Sequence, residues 1–389
     1  MPQNPHFTLA MLMLGVTIIG ANSLLLSPIL TDVATGLDAS VRSVSLAIAA
    51  FGGATALSAL LFGGLIDRHG PRRVLSVGAA VMVVGITASG LATHWLILAG
   101  AQALAGMASG VMLPAIYMAA AQAGPPERSA QRLGRVLTGW SLAMLAAVPL
   151  AAWIAALAGW RYCYALLAAL TLATLIGMLR LQVPAQARPA PGAGTRLKAL
   201  RQPEVASLLA VQFCFMGAFY GSYSFIGDHI RTTLDVSAAT AGQIVLAYGA
   251  GFGLASLADG VLDRIGARRG LPIAMALTVG VHVALAPATA AITTAILAGG
   301  IWGLTNHYAI NLIVLRLTEV GGARRGSVLA LNSAVTYLGA LVGPLAAGAL
   351  YTGAGFWAVT LFGTGLLATG TVIAATLALR ARTHAAVAP

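Results

Sequence analysis

The sequence consists mainly of long apolar runs, each close to the length that crosses a lipid bilayer, joined by short polar or basic segments. A helix of about 20 apolar residues spans the hydrocarbon core, and lipid offers no partners to the unpaired backbone groups of an open sheet. No run shows the strict alternation of a barrel strand. The sequence therefore predicts an all-α membrane protein with twelve transmembrane helices. In order, the predicted spans are 7–30, 42–66, 74–93, 95–121, 133–157, 161–181, 204–230, 238–262, 270–290, 293–317, 325–351 and 356–380.

Composition and charge agree with a membrane protein. The chain is 59% hydrophobic and 8% charged, which leaves too little polar surface to coat a water-soluble protein of 389 residues. Its net charge of +12 does not indicate nucleic-acid binding, because the basic residues lie in short clusters between the apolar runs. With a cytoplasmic amino terminus, only Arg42, Arg161 and Arg231 of the 22 basic residues lie outside. Both termini are therefore expected in the cytoplasm.

The sequence motifs that usually hold metals or cofactors or carry covalent chemistry are missing. Cys163 and Cys214 both lie within apolar runs, which argues against a disulfide framework or a thiolate metal cluster. No P-loop surrounds Lys198, the single lysine, and neither H-E-x-x-H nor G-x-S-x-G occurs. We expect no metal, no cofactor and no enzymatic activity. The first apolar run follows a segment with no basic region or cleavage site, so it is expected to be retained as a span.

A short charged loop occurs twice in the chain. Its first copy contains Gly64, Asp67, Arg68, Gly70, Arg72 and Arg73, and the second, 196 residues later, contains Gly260, Asp263, Arg264, Gly266, Arg268 and Arg269. A second echo, Pro149-Leu150-Ala151-Ala152 and Pro344-Leu345-Ala346-Ala347, has an offset of 195. The nearly constant offset indicates that the two halves are copies of one unit.

The duplication predicts how the chain divides. We expect an N-terminal six-helix bundle over 1–181, a cytoplasmic linker over 182–203 and a C-terminal six-helix bundle over 204–389. The linker is rich in Pro, Gly and basic residues and has no helical apolar face. Six spans in each half form a parallel repeat, in which two bundles related by a pseudo-two-fold axis face each other across a midplane cavity.

The loop between spans 2 and 3 has the pattern G-x-x-x-D-R-x-G-x-R-R, and a degenerate copy lies between spans 8 and 9. This pattern resembles the signature loop of the Major Facilitator Superfamily, and the alignment of the whole chain favours its drug:proton antiporter branch of multidrug and arabinose-type efflux proteins. The resemblance implies a bacterial inner-membrane transporter in which the loops form a latch that favours the outward-facing state. The expected latch residues are Asp67, Arg68, Gly70, Arg72, Arg73, Asp263, Arg264, Gly266, Arg268 and Arg269.

Physical chemistry supports a latch at Asp67 more directly than at the arginines. An acid contributes little to topology, and a carboxylate at a helix end can pair with arginine or sit against the positive end of an opposing helix. For Arg72, Arg73, Arg268 and Arg269 a simple role as topology anchors is an equal alternative. The second copy has Asp259 where the first has Gly63, so the second loop is expected to work less reliably as a latch.

The tenth span carries the densest polar cluster in the apolar part of the chain. None of the ten acids falls in the middle of a predicted span, so a histidine with a reference pKa of about 6.5 becomes the proton-coupling candidate, His307. The resemblance implies that spans 1, 4, 7 and 10 line the cavity, whereas His282, in span 9, is expected to be structural. The candidate substrate-binding residues are His307, Asn306, Asn311, Trp302, Tyr220, Tyr223, Gln212, Asn22, Gln102, Tyr117, Asn332 and Tyr337.

The chain departs from the family pattern in three of its spans. Gln102 stands where the fourth span usually has Arg, and Asn22 where many antiporters of this branch have an acid. Pro149 of the fifth-span signature is kept, but Val148 and Ala152 replace its flanking glycines. Either His307 carries the coupling proton, or transport is facilitated or coupled in another way.

The expected function is secondary transport. A cavity of neutral hydrogen-bonding groups and aromatic rings suits a small neutral, aromatic or amphipathic organic solute, moved by rocking of one bundle against the other and exported by a monomer in exchange for protons. A facilitator, an uptake symporter or a metabolite exchanger remains open. So does a transporter fold used as a receptor or lipid flippase.

Overall fold

The computed structural model describes residues 5–62, 65–124, 128–181, 198–258, 260 and 265–387. Within these ranges the chain is helical apart from turns and short connections, and it contains no strand. The helices are numbered after the predicted spans: α1 Pro5–Leu24, α2 Val41–Phe62, α3 Leu65–Gly90, α4 Trp95–Gln122, α5 129–158, α6 Trp160–Leu179, α7 Val205–Leu234, α8 Ala238–Ala255, α9 Ala267–Ala288, α10 Ile292–Gly321, α11 325–354 and α12 356–387.

The predicted number of spans is confirmed. Ten helices of the described ranges are long and apolar enough to cross a membrane, and one of them, Arg325–Arg380, contains both α11 and α12. Its two parts are separated at Gly355, whose φ of 75° interrupts the helix. The remaining span, α10, is not among the ten because the polar residues at its centre lower its hydropathy.

One predicted helix limit and one internal distortion reflect proline chemistry. The first span ends at Leu24 rather than at residue 30, and a turn over 25–29 contains Pro28, which has no amide hydrogen to continue the helix. A short helix, Leu30–Gly36, follows the turn. In α5 a π-helical segment, Ala143–Ala147, precedes Pro149, which cannot donate to the carbonyl four residues earlier.

The duplication is visible in the backbone of each half. Gly70 and Gly266, which are 196 residues apart, both have a φ of 77° at the start of the third helix of their half. Gly159 and Gly355, with the same offset, have φ values of 104° and 75° between the fifth and sixth helices. Positive φ is easily adopted only by glycine, so both copies use it at the same two reversals.

Close helix contacts are also repeated. In the N-terminal half a side chain at Gly106 or Gly110 would overlap the backbone of α2, so α4 lies directly against α2. In the C-terminal half a side chain at Gly299 or Gly303 would overlap the backbone of α8 in the same way. Small residues at such positions let membrane helices approach closely.

The described chain clusters into two compact units. The first comprises Met1–Ala190 with Ser237–Gly242, and the second Pro191–Val236 with Gln243–Pro389. Helices α1–α6 belong to the first unit and α7, α9, α10, α11 and α12 to the second, together with most of α8. The division predicted at 182–203 stays a prediction, because 182–197 lie outside the described residues.

Candidate functional site

Asn306 lies where α10 and α8 touch. Gly303, one turn before it, packs against the backbone carbonyl of Tyr248. Asn306 is buried, and its Nδ2 donates a hydrogen bond to the Tyr248 hydroxyl at 3.0 Å. Its Oδ1 is also buried and has no hydrogen-bond partner within the described ranges. The side chain therefore keeps one acceptor position that a bound molecule can fill.

Five buried aromatic side chains surround this contact and are called the aromatic cluster: Phe219, Tyr220, Tyr223, Tyr248 and Trp302. The Phe219 ring is central, with centroid distances of 5.1 Å to Tyr220, 5.3 Å to Tyr223 and 5.6 Å to both Tyr248 and Trp302. Tyr248 and Trp302 meet edge to face at 5.2 Å. Rings at these distances form the tilted and edge-to-face pairs that aromatic side chains favour.

His307 is held by the next turn of its own helix. The Asn311 Nδ2 lies 2.9 Å from His307 Nε2, and because an amide nitrogen can only donate, Nε2 is the acceptor. The neutral ring then carries its proton on Nδ1. The imidazole also meets the ring of Phe252 edge to face at 4.9 Å. The predicted i, i+4 neighbours therefore form a hydrogen-bonded pair beside an aromatic ring from α8.

His282 adjoins the aromatic cluster, which the sequence did not predict. The imidazole is buried, and its ring lies edge to face with Trp302 at 5.4 Å. The indole Nε1 of Trp302 is buried and has no hydrogen-bond partner within the described ranges. The structural role expected for His282 stays a prediction.

A second polar group lies between α7 and α11. The Nε2 of Gln212 donates to the Thr336 hydroxyl at 2.7 Å. The Oε1 of Gln212 and the Oδ1 of Asn332 are buried and without a hydrogen-bond partner in the described part of the chain. Tyr337, the last predicted contact on α11, is buried as well.

The predicted residues of the N-terminal half form two separate groups. Asn22 Nδ2 donates to Gln102 Oε1 at 2.9 Å, and Gln102 Nε2 donates to Asn22 Oδ1 at 3.3 Å and to Ser89 Oγ at 3.0 Å. The two departures from the family pattern are therefore one reciprocal, buried amide pair. Tyr117 accepts a bond from Trp140 Nε1 at 3.3 Å and lies about 22 Å further along α4.

Two of the described latch candidates, Arg72 and Arg268, contact helix ends. Arg72 donates to the Leu179 carbonyl at the end of α6 at 2.7 Å. Arg268 approaches Glu204 at 3.8 Å, whereas Arg68, Arg73 and Arg269 are exposed. Asp263, Arg264 and the side chain of Asp67 lie outside the described residues, so the pairing predicted for the two carboxylates is not seen.

One acid is buried near the carboxyl-terminal end of a spanning helix. Helix α7 continues to Leu234, beyond the predicted limit of 230, and encloses Asp228, which is 3% exposed. The Tyr351 hydroxyl, on α11, donates to its Oδ2 at 2.6 Å. The two residues are 123 positions apart, so the sequence pattern could not pair them.

Three aromatic residues of this region are absent from the predicted binding set: Phe219, Tyr248 and Phe252. Phe219 lies seven residues after Gln212 and four before Tyr223, so it shares their face of α7. That spacing was readable, but a phenylalanine in an apolar run does not stand out from the other apolar residues around it.

Known sequences resemble this chain along nearly its whole length. The sequence profile described as Major Facilitator Superfamily matches twice, over residues 12–227 and 208–389. The chain is a member of the Major Facilitator Superfamily.

The relatives that match this chain are distant from it in sequence. "Uncharacterized MFS-type transporter YwfA" of Bacillus subtilis (strain 168) is 28% identical over 95% of this chain and 92% of its own. "Inner membrane transport protein YdhP" of Escherichia coli (strain K12) is 21% identical over 92% of each chain. "Transcription regulatory protein OpdE" of Pseudomonas aeruginosa is 28% identical over 73% of this chain and 71% of its own.

Membership confirms the fold class predicted from the sequence. The superfamily member described here is an all-α, multi-pass membrane transporter and not an enzyme. Within the described ranges no group of three or more His, Cys, Asp or Glu is placed to hold a metal ion.

Proposed function

We propose that this superfamily member is a secondary active transporter of a small neutral, aromatic or amphipathic organic solute. The observation that carries the proposal is the aromatic cluster of the C-terminal half, which borders buried polar atoms without partners at Trp302 Nε1 and Asn306 Oδ1. Flat apolar surface and a few unpaired donors and acceptors are what an aromatic solute with one or two polar substituents requires.

The energetic reason is the cost of unpaired buried groups. A buried donor or acceptor without a partner costs about 1–3 kcal/mol, and a ligand that supplies the partner recovers that free energy. The same atoms select against purely apolar solutes, which leave them unpaired. The cluster itself contains no charged side chain, so it is matched to a neutral solute better than to a multiply charged one.

His307 is the proposed coupling residue, in an antiport of solute against protons by alternating access of the two halves. Neutral His307 accepts from Asn311, but its protonated form has only donors, so the Asn311 amide must turn its oxygen toward the ring. Protonation would thereby rearrange hydrogen bonds within α10, one turn from Asn306. This links a proton to the proposed solute contacts.

The latch completes the proposed cycle. Asp67 and its copy Asp263, with the neighbouring arginines, would hold the cytoplasmic ends of the helices in the outward-facing state. Arg72 already joins α3 to the end of α6, which supports a role for this loop in fixing helix ends.

A facilitator or exchanger without proton coupling is the second candidate. The neutral Asn22–Gln102 pair favours it, because it replaces an acid and an arginine at positions where the family usually carries charge. A receptor or lipid flippase is the candidate of another class, and one relative, OpdE, is named a transcription regulatory protein.

Flux in proteoliposomes separates these functions. A thermal-shift screen of the purified protein against neutral aromatic and amphipathic compounds, at two pH values, first identifies a ligand. Antiport predicts that an imposed pH gradient drives accumulation of that ligand, and Trp302→Ala should abolish both binding and accumulation. Gradient-independent exchange would select the facilitator, and binding without any flux would select the receptor.

A further inference from the structure

A groove on the N-terminal half has the form of a lipid site. It lies between α2, α3 and α4 and encloses about 450 Å³. Its floor is made by the small residues Ser58, Gly78 and Ala108, and the Ser58 hydroxyl is satisfied by the Met107 carbonyl at 2.6 Å. The floor is therefore effectively apolar.

The walls of the groove are apolar and exposed. Val77 is 59% exposed, Met107 44% and Phe62 39%. These side chains belong to membrane-spanning helices, so this surface faces acyl chains rather than water. An apolar depression of this kind is matched to a hydrocarbon chain.

One end of the groove is basic. His69 and Arg73 line it beside the chain reversal at Gly70, where α2 and α3 are joined and the headgroup region begins. Both side chains are exposed, and His69 Nδ1 lies 3.3 Å from the Leu65 carbonyl oxygen. A guanidinium in this position is suited to a phosphate, to which it can donate two parallel hydrogen bonds.

A depression on the described part of the second half differs from this groove. A comparable depression of about 380 Å³ between α7 and α11 has no charged lining residue. In the second copy of the charged loop Ile265 replaces His69 and Ala274 replaces Gly78, although Arg269 corresponds to Arg73. Arg269 therefore offers a matched control for Arg73.

We propose that this groove binds one anionic phospholipid, with an acyl chain between α2, α3 and α4 and its phosphate at Arg73 and His69. A lipid with a net negative headgroup is preferred over phosphatidylcholine, because the choline cation of the latter would lie close to the arginine. The site requires only that the chain spans a membrane and is independent of the proposed transport substrate.

Native mass spectrometry of the full-length protein tests the site. The purified protein is offered equal amounts of phosphatidylglycerol and phosphatidylcholine with identical acyl chains, and the retained lipids are counted. Wild type should retain one phosphatidylglycerol, Arg73→Gln should lower its ratio to phosphatidylcholine about fivefold, and Arg269→Gln should leave the ratio unchanged. His69→Gln provides a second, independent loss of preference.

Other variants test the contribution of the acyl chain separately from that of the lipid headgroup. Val77→Trp should obstruct the groove and reduce retention of both lipids while the basic residues remain, and inorganic phosphate should not displace the lipid. Equal retention of the two lipids by wild type would overturn the proposal. So would equal losses in Arg73→Gln and Arg269→Gln, or full retention in Val77→Trp, which would mean that the basic residues attract anions without a lipid groove.

Discussion

At the scale of single residues, the candidate site depends on hydrogen bonds that are only partly satisfied. Tyr248 pairs with one end of the Asn306 amide and leaves the other end open, and Asn311 determines which nitrogen of His307 carries the proton. Tyr248, Asn306 and His307 are buried, so an unpaired atom among them costs more than it would at a surface, whereas Asn311 is exposed. A solute that pairs with them is favoured for the same reason.

His307→Ala should abolish or strongly impair transport while folded protein remains in the membrane. The substitution removes the titratable ring and leaves Asn311 without its acceptor. Flux into proteoliposomes measures the effect. Tyr308→Phe is the control, because the Tyr308 hydroxyl bonds to the Ala255 carbonyl at 3.2 Å and should be dispensable for coupling. Wild-type flux in His307→Ala would remove His307 from the site.

At the scale of helices, two kinds of contact bring the polar groups together. Glycine lets α10 approach α8 closely enough for Asn306 to reach Tyr248. A buried amide pair ties α1 to α4. Within lipid, close packing and interhelical hydrogen bonds are the main forces that associate helices, because burial of apolar side chains gives little advantage there.

Gly303→Ala should destabilise the C-terminal half by about 3 kcal/mol, since the added methyl group overlaps the Tyr248 carbonyl. Gly300→Ala, on the same helix, is the matched control, because its methyl group would meet its nearest neighbour, the Ala247 carbonyl, at 3.6 Å. Thermal unfolding in detergent compares the two. Similar melting temperatures would show that α10 does not require this close approach.

Asn22→Asp and Gln102→Arg should each destabilise the protein by about 3–5 kcal/mol, because either change buries a charge without a counter-charge. The double variant should regain most of that loss, since the new carboxylate and guanidinium replace the reciprocal amide bonds. Thermal unfolding of the four proteins forms the cycle. Additive losses in the double variant would mean that the two side chains do not act as a pair.

At the scale of the whole molecule, the two halves keep the same backbone reversals but differ in the side chains around them. Gly70 and Gly266 share one conformation, yet the residue before each glycine is His69 in one half and Ile265 in the other. The two copies therefore keep the backbone conformation that connects the helices, whereas the side chains of the two loops have diverged. An asymmetric latch is the expected consequence.

Asp67→Asn should slow turnover more than it weakens solute binding, because the proposed latch affects exchange between states and not the contacts with the solute. The rate of flux at saturating solute and the affinity in a thermal-shift titration measure the two quantities separately. Asp38→Asn, which changes an acid on the opposite side of the predicted topology, is the control. Unchanged turnover in Asp67→Asn would contradict the latch.

Much of the fold was readable from the sequence because membrane folding depends on local properties. Run length and apolarity predict the spans, the constant offset predicts the duplication, and glycines at the reversals allow positive φ. The site was readable only in part. His307, Asn311 and Asn306 stand out as polar residues in an apolar run, whereas Phe219 is hidden among other apolar residues.

Which polar groups on different helices bond to each other was decided by the tertiary structure alone. Three hydrogen-bonded pairs join residues that are far apart in the sequence. Asn22 and Gln102 are separated by 80 positions, Asn306 and Tyr248 by 58, and Asp228 and Tyr351 by 123. Each pair joins two different helices, and its formation depends on how those helices rotate and how closely they approach. No local pattern encodes that geometry, because it results from the packing of all the helices of a half together.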